Sequence, residues 1–332
     1  MTQTRVNHGR KKQIKTRKHR PSPTDVSFPE YNPDTIIVFT PSKAAIEIAN
    51  KDLKKYLYRK EVDPEKAVQE HKYLQDALTA QKQKFIDIQK FVPKNTPPEY
   101  LANLLYTRDP FIKTKKGLVL GHMRQPIRKH DTDLINKIML KMNQPVLYRC
   151  KGDEYLEGGD YLINCDTSFV GTGARSSIVA AKKLMKMDLY GTEKVVIIRP
   201  LHPDKNMYRM HLDCVFSPFG CKQCVIWDDL IHKNSRHERL ATEYTRQSNG
   251  EYKKTSKEMN LHDYLRENHY NIIPLTTESQ YHYGANLLEL SNGAVLVQDK
   301  ETHKKIKGSI YIPFDEIHKM YGGLHCSTNT FF

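Results

Sequence analysis

The chain has 332 residues, of which 38% are hydrophobic and 27% charged, and its formal net charge at pH 7 is +15. This length predicts one large domain or two small ones, and the composition is typical of a soluble globular protein rather than a fibrous one. No apolar run approaches the ~18 residues that a bilayer crossing requires, and the N-terminal region lacks the apolar stretch of a secretory signal. We therefore expect a cytoplasmic protein without a membrane anchor.

The basic residues are concentrated at the N-terminus. Eight of the 53 Lys and Arg residues lie in the first 20 positions, and the first acidic residue is Asp25. This composition predicts a disordered basic arm over residues 1–33, which ends in a proline-rich joint. Through residues 1–24 such an arm could make weak contacts with nucleic acid or another acidic surface. A merely solvated tail is the alternative.

Beyond the arm, short apolar runs alternate with helical patterns. The run at residues 36–39 predicts a buried strand, and the stretch 42–91, rich in Lys, Glu, Ala and Leu, predicts helices broken near Pro64. Further predicted elements are strands at 117–120, 161–163, 169–171 and 195–198, a helix at 174–187, and a strand pair around the turn 291–293. Residues 228–270 form a polar insertion that we expect to be partly helical and to act as a lid or lie at the periphery. The alternation indicates an α/β fold, with residues 34–332 as a single domain.

Four polar clusters interrupt these apolar surroundings. They are residues 106–110, 157–160, 211–213 and 322–329. Each cluster alone is weak, because Asp before Pro, or Gly-Gly before Asp, commonly forms a turn. Together they supply a thiol, a histidine and several carboxylates. A cysteine in a tight turn can meet backbone N–H groups that favour the thiolate, and paired carboxylates suit a guanidinium, whose five donors form a fixed fork.

In this order the four clusters resemble those of the arginine deiminases, within a superfamily of guanidino-group-modifying enzymes that also holds the amidinotransferases and peptidylarginine deiminases. The resemblance runs from about Asp34 to Phe332 and is closest at residues 106–117 and 157–160. It implies the pentein fold, a five-bladed α/β propeller of ββαβ-type units around a polar cleft. It also implies hydrolysis of the guanidino group of L-arginine to citrulline and ammonia through a covalent cysteine thiouronium intermediate, with no metal or organic cofactor.

The resemblance assigns roles to single residues. Cys326 would attack the guanidinium carbon, and His211 would protonate the departing amine and then activate water. Asp109 and Asp213 would hold the guanidinium nitrogens. Glu157 would pair with the substrate and with His211. The resemblance also implies three contacts for the substrate carboxylate: Asn103, Arg128 and Arg175. Asp160 would support the turn that carries Glu157.

Two departures from the family pattern concern the substrate. Family members that act on free arginine carry an arginine a few residues before the nucleophile, whereas residues 319–323 contain none. After Cys326, residues 327–329 look more like the ending of a peptidylarginine deiminase or amidinotransferase. Free arginine is the preferred substrate, and protein-bound arginine is an alternative. Amidino transfer to an amine acceptor is an alternative reaction, because transfer and hydrolysis both pass through a covalent cysteine intermediate.

The cysteines suggest a competing hypothesis of a metal site. His211, Cys214, Cys221 and Cys224 have a spacing that could close a tetrahedral zinc site. A structural zinc would consume His211, however, which the catalytic interpretation needs. The simpler alternative is that Cys214 is a small buried residue and that the other two are reduced loop thiols.

Outside enzymes, the alternative is a non-catalytic binder that presents its basic arm to nucleic acid. The presence of Cys326, His211 and the three carboxylates together argues against it. Nothing in the residues predicts whether copies of the chain associate, so a homo-oligomer stays open.

Overall fold

The computed structural model describes residues 35–331, and the predicted arm lies outside this part of the chain. Its strands are β1 (Thr35–Val38), β2 (Phe85–Asp87), β3 (Phe111–Thr114), β4 (Gly117–Leu120), β5 (Val146–Arg149), β6 (Tyr161–Asn164), β7 (Thr167–Gly171), β8 (Lys194–Pro200), β9 (Phe216–Phe219), β10 (Gln223–Trp227), β11 (Arg239–Arg246), β12 (Tyr252–Lys254), β13 (Met259–Asn260), β14 (Asn271–Leu275), β15 (Leu288–Glu289), β16 (Val295–Val297), β17 (Ile310–Tyr311) and β18 (Thr328–Phe331). Its α-helices are α1 (Lys43–Asn50), α2 (Pro64–Ala80), α3 (Lys129–Lys141), α4 (Ile178–Lys186), α5 (Leu261–Glu267), α6 (Thr277–Tyr281) and α7 (Lys300–Lys305).

The strands form five sheets with a shared plan. In each sheet a first strand pairs antiparallel with a second, and the second pairs parallel with a third: β3-β4-β5, β6-β7-β8, β9-β10-β14, β15-β16-β17 and β18-β1-β2. Parallel neighbours need a long crossover, and in every sheet a helix lies in that crossover. The part of the chain from 35 to 331 therefore consists of five ββαβ units, as the family resemblance implies.

The two ends of the described chain meet in one sheet. β18 pairs antiparallel with β1, with Thr330 opposite Ile36. On its other side, β1 pairs parallel with β2. The unit that begins the chain is thus completed only by the strand that ends it, and this strand follows directly after the Cys326 segment.

Local capping chemistry sets the helix boundaries. Asp63 caps α2 by accepting hydrogen bonds from the N–H groups of Glu65 and Lys66, and Pro64 occupies the first turn, where its missing N–H costs nothing. This explains the predicted break near Pro64. The helix predicted at 174–187 begins later, at Ile178, because the Ser177 hydroxyl caps it by accepting from Ala180 N–H.

The polar segment 228–270 contains three strands as well as helical structure. Strand β11 pairs antiparallel with β8, and β12 and β13 pair with β11, so the segment extends the sheet of the neighbouring unit. Helical structure is confined to the turn Asp228–Leu230 and to α5. The prediction of partly helical structure missed the longest element, β11, because its eight residues mix charged and small side chains without a long apolar run.

The first strand of every unit lines one cavity. β3, β6, β9, β15 and β18 contribute Lys113, Ile163, Ser217, Leu288 and Thr330 respectively. The predicted α/β fold of ββαβ units is confirmed, and this shared cavity supports the further prediction that the units close like the blades of a propeller. Within residues 35–331, no helix is both long and apolar enough to cross a membrane.

Candidate active site

The five residues assigned to the chemistry lie just before the first strands of four units. Asp109 precedes β3, Glu157 precedes β6, His211 and Asp213 precede β9, and Cys326 precedes β18. All of them are buried, with 0% relative exposure for Glu157, His211 and Asp213, and 2% for Asp109 and Cys326. The shared plan of the units therefore brings together side chains that are far apart in sequence.

The fifth unit contributes Asn286, which the sequence analysis missed. This residue lies just before β15 and is fully buried. Its Nδ2 donates to Cys326 Sγ at 3.2 Å, and its Oδ1 accepts from the Cys326 N–H at 3.1 Å. Nδ2 also lies 3.3 Å from the carbonyl oxygen of Asp213. In the sequence, Asn286 stands out only as a single amide among apolar residues. In the structure it lies just before the first strand of its unit, as the other site residues do in theirs.

His211 lies between two carboxylates. Its Nε2 is 2.8 Å from Glu157 Oε2, and its Nδ1 is 3.7 Å from Asp109 Oδ1. Burial alone would lower the pKa of His211, but Asp109, the hydrogen bond to Glu157 and the charge of Asp160 together raise it to about 9. The imidazole is therefore protonated at neutral pH.

Two buried polar atoms at this point have no hydrogen-bond partner within residues 35–331: Asp109 Oδ1 and His211 Nδ1. The distance of 3.7 Å between them is too long for a hydrogen bond. An unmade hydrogen bond in a buried site is costly, so such atoms commonly mark a ligand position. A donor-rich group that entered here would meet a free carboxylate oxygen.

Glu157 is held in place by three contacts. The Arg124 N–H donates to Oε1 at 2.9 Å, Arg175 lies 3.3 Å from Oε2, and the backbone N–H of Glu157 donates to Ser176 Oγ at 3.0 Å. Burial would raise the pKa of Glu157, but Arg175 and His211 outweigh it and hold the pKa well below its usual range. The carboxylate is ionised and is fixed beside the imidazolium.

The two glycines after Glu157 are explained by close packing. A Cβ on Gly159 would lie 2.6 Å from His211 Nδ1, and one on Gly158 would lie 2.0 Å from the Arg108 carbonyl oxygen. The predicted support from Asp160 takes a specific form, since its Oδ1 accepts from the Leu212 N–H at 2.9 Å. The turn therefore packs against the imidazole, and Asp160 anchors the backbone next to it.

Arg128 and Asn103, implied as contacts for a substrate carboxylate, are engaged within the protein. Arg128 bridges Asp109 and Asp131, with its Nε 2.8 Å from Asp131 Oδ2, and its NH2 group donates to the Asn103 carbonyl at 3.3 Å. The Asn103 amide donates to the Tyr56 carbonyl at 3.2 Å. Arg128 thus orients Asp109 in this closed arrangement.

Asp213 links Cys326 to a second histidine that the sequence analysis did not assign. Asp213 Oδ2 lies 2.8 Å from His325 Nδ1 and 3.6 Å from Cys326 Sγ. Burial and the charge of Arg108 lower the pKa of His325, so its neutral ring donates the Nδ1 proton to Asp213. This hydrogen bond helps to hold the pKa of Asp213 below its usual range despite burial.

The Cys326 thiol is protonated in this closed state. Burial is the main cause that raises its pKa well above the ordinary value, and the charge of Asp213 adds to it. The predicted stabilisation by backbone N–H groups is present in part, because a hydrogen bond from the Gly323 backbone lowers the pKa. A cation bound at Asp213 would supply the remaining stabilisation of a thiolate.

Within residues 35–331, the four residues of the suggested zinc site do not come together. Cys221 is exposed, whereas Cys224 is buried within β10. Among residues 35–331, the sets of side chains close enough to hold a metal are His211, Asp213 and Cys214, and Asp109, Glu157 and His211. Neither set contains Cys221 or Cys224. In the second set, both carboxylates already face guanidinium groups, Arg128 and Arg175.

Residues 319–323, just before Cys326, lack the arginine expected from the family pattern. This segment instead contacts Arg59. Tyr321 adopts a left-handed backbone conformation with φ 66°, and its ring centroid lies 5.3 Å from that of Tyr208. The Arg59 guanidinium lies 5.1 Å above the Tyr208 ring, and the Arg59 N–H donates to the Lys319 carbonyl at 2.7 Å. A partly buried cation is therefore supplied here by a distant part of the sequence, which spacing alone could not reveal.

Comparison with known proteins agrees with this geometry. The sequence matches the family model described as arginine deiminase over residues 35–332. The chain belongs to the arginine deiminase family. The family model spans all five ββαβ units and every residue of the site described above.

Individual relatives are more distant. An arginine deiminase from Bacillus cytotoxicus is 32% identical over 124 residues, which cover 35% of this chain and 30% of that protein. One from Borrelia duttonii is 26% identical over 250 residues, 68% of this chain and 60% of that protein. The chain thus spans only about a third of the length of the first curated relatives that it matches.

Solved structures share the fold. A DDAH mutant from Pseudomonas aeruginosa, complexed with citrulline, superposes with a TM-score of 0.62 at 15% identity, covering 91% of this chain and 100% of that one. The N-terminal domain of ArgZ, an arginine dihydrolase from Cyanobacteria, gives a TM-score of 0.66 at 16% identity, covering 89% and 97%. At these identities the likeness concerns the fold of the chain.

Proposed function

We propose that the protein hydrolyses the guanidino group of L-arginine to give citrulline and ammonia, with Cys326 as the nucleophile. One observation carries the proposal: the partnerless Asp109 Oδ1 and His211 Nδ1 lie in the cluster that also holds the Cys326 thiol and Asp213. A guanidinium offers donors to both carboxylates and places its carbon beside the thiol. Family membership supports the same reaction.

Substrate binding activates the nucleophile. A guanidinium held by Asp213 brings a positive charge next to Sγ, which is 3.6 Å from Asp213 Oδ2. That charge lowers the pKa of the thiol, which releases its proton to solvent as the thiolate forms. Sγ then bonds to the guanidinium carbon and gives a tetrahedral adduct.

His211 completes the reaction as acid and then as base. Its raised pKa of about 9 supplies an imidazolium that can protonate the departing amine, which leaves as ammonia when the C–N bond breaks. The product of this half is a thiouronium on Cys326 that retains the rest of the substrate. Neutral His211 then takes a proton from water, and the hydroxide adds to the same carbon. The C–S bond breaks and the proton of the added hydroxyl passes to the leaving thiolate, which releases citrulline and restores the Cys326 thiol.

Burial of the site favours a small substrate. Each of the five side chains is at most 2% exposed, whereas a protein-bound arginine would need an open cleft. Arg175 contacts Glu157 and Met207, and Arg59 covers the ring of Tyr208, the residue after Met207. They are candidates to receive the carboxylate of arginine.

Several finer predictions accompany this proposal. A cytoplasmic location, a single catalytic domain over residues 34–332 and weak contact of residues 1–24 with acidic partners all rest on the sequence. The chemistry needs no metal or organic cofactor, because the covalent intermediate divides the difficult step in two. A homo-oligomer stays open.

Ureido-product formation tests the proposal. Purified protein is offered L-arginine, agmatine and an arginine-containing peptide in parallel, and citrulline-type product and ammonia are measured. We expect turnover of arginine, abolished in Cys326→Ala and retained in Cys221→Ala, which removes an exposed thiol. Product from the peptide alone would move the function to protein modification, and undiminished turnover by Cys326→Ala would refute the mechanism.

A further inference from the structure

The cavity lined by the first strands of the five units lies beyond the catalytic cluster. It has a volume of about 60 Å³. Most of the cavity residues lie within the first strands, after the residues of the catalytic cluster; β3, for example, follows Asp109 and contributes Lys113 to the cavity wall. His325 connects the catalytic cluster with the cavity, because it lines the cavity and also binds Asp213.

Two side chains of opposite charge face this cavity without an ionic partner in residues 35–331. Lys113 has no carboxylate within salt-bridge distance, and burial lowers its pKa. Glu289 has no cationic partner; its oxygens accept only from the Gly220 N–H, at 3.0 and 2.9 Å. Burial raises the pKa of Glu289 to about 7. Both groups therefore lose hydration in the folded chain without gaining a counter-charge.

Lys113 belongs to β3 and Glu289 to β15, so two different units of the cavity wall carry these charges. A ligand that satisfies both must carry an ammonium and a carboxylate at opposite ends. Its size is also limited, since a water needs roughly 10–15 Å³ of such volume and the cavity would hold on the order of five heavy atoms. Arg108 also lines the cavity and adds a positive charge to its wall.

We propose that this cavity is a binding site for a small zwitterionic α-amino acid of the size of glycine or alanine, with its ammonium group at Glu289 and its carboxylate at Lys113. The site is separate from the position of the guanidino substrate. Lys113 and Glu289 are both partly exposed, so the cavity is accessible to such a ligand. A bound ammonium would also keep Glu289 ionised at neutral pH, because opposite charge favours the charged form.

The test is a titration of the full chain carrying Cys326→Ala, which removes turnover. The probes are glycine and L-alanine, with acetate and methylammonium as molecules that carry only one of the two charges, and binding is followed by calorimetry. We expect glycine to bind and both half-molecules to bind at least tenfold more weakly. Lys113→Met and Glu289→Gln should each weaken glycine binding at least tenfold.

Matched variants distinguish the cavity from the rest of the surface. Lys137→Met and Glu267→Gln alter exposed residues and should leave glycine binding unchanged. Ser217→Val fills the cavity without a change of charge and should abolish binding, which covers the case that a charge variant fails to fold. Asp109→Asn changes the catalytic cluster and should leave glycine binding unchanged. Absence of glycine binding at millimolar concentration, or equal binding by Lys113→Met, Glu289→Gln and the parent, would overturn the proposal.

Discussion

At the level of single residues, burial and neighbouring charge give the two reacting groups opposite states. Burial dominates at Cys326 and keeps its thiol neutral, whereas the carboxylates around His211 outweigh burial and keep its ring charged. A neutral nucleophile and a charged acid form the resting state expected of a site that is activated by a cationic substrate. A neutral Cys326 thiol reacts only slowly with other electrophiles.

The pH dependence of turnover should report His211. Because its pKa is raised to about 9, the imidazolium persists through neutral pH and is lost as the pH rises through that value. We expect kcat/KM for arginine to fall above pH 9. His211→Gln should lower kcat by roughly 100-fold or more, the usual contribution of an acid–base residue. His282→Gln, at an exposed position, is the control and should keep the wild-type profile.

Asn286 should control the reactivity of the thiol. Its amide donates to Sγ, so Asn286→Asp replaces a donor with a negative charge and should raise the pKa of Cys326 further. We expect slower alkylation of Cys326 by iodoacetamide at pH 8 and reduced turnover. The rate is followed by mass spectrometry of the Cys326 peptide, with the exposed Asn292→Asp as the control. An unchanged alkylation rate would contradict the positioning role.

At the level of elements, the Glu157 turn connects chain conformation with catalysis. Gly159→Ala would place a Cβ 2.6 Å from the His211 ring, and this backbone cannot move freely because Gly158 is packed against Arg108. We expect Gly159→Ala to lose at least tenfold in kcat while the protein remains folded by circular dichroism. Gly293→Ala, at a surface turn with nothing within 4 Å, should keep activity even if it loses some stability.

The sequence predicted those elements whose signal is local. Strands β1, β4, β6, β7 and β8 contain apolar runs, and Asp63 with Pro64 marks the start of α2. β11 escaped prediction because its partner strand, rather than its own pattern, makes it a strand. The same reason applies to the site, where the partners of Asn286 and Arg59 are distant in sequence.

Buried neutral histidines should make the protein sensitive to acid. Burial lowers the pKa of His318 from 6.5 to about 3 and that of His71 to about 4. The unfolded chain binds protons at these positions below pH 6.5, whereas the folded chain does not, so stability falls as the pH drops below 6.5. Each residue should cost up to roughly 3 kcal/mol between pH 6.5 and 4. Urea unfolding should show a shallower decline for His318→Gln, and an unchanged one would contradict this origin.

At the scale of the whole molecule, five similar units converge on one centre and each supplies a different chemical group. The unit of β18, β1 and β2 carries the proposed nucleophile Cys326 together with His325, and the others carry carboxylates, His211 and an amide. The family resemblance identified four of these contributions in advance. The fifth, Asn286, became visible only when the repeated plan of the units was known.

Deletion of residues 1–33 separates the basic arm from the catalytic units. We expect the shortened protein to keep its kcat/KM for arginine, because every residue assigned to the chemistry lies in the part of the chain from 35 to 331. Any affinity for nucleic acid should disappear with the arm and, in the full chain, fall steeply as salt is added. A shortened protein without turnover would contradict the assignment of the chemistry to residues 34–332.

The covalent intermediate offers the most direct test of the central claim. Wild-type protein is mixed with excess L-arginine, quenched in acid during the first turnover and analysed by peptide mass spectrometry. Hydrolytic deimination predicts that the Cys326 peptide gains the mass of arginine less ammonia. A gain of the amidino group alone would instead indicate transfer to another amine, and an adduct on any other residue would contradict Cys326 as the nucleophile.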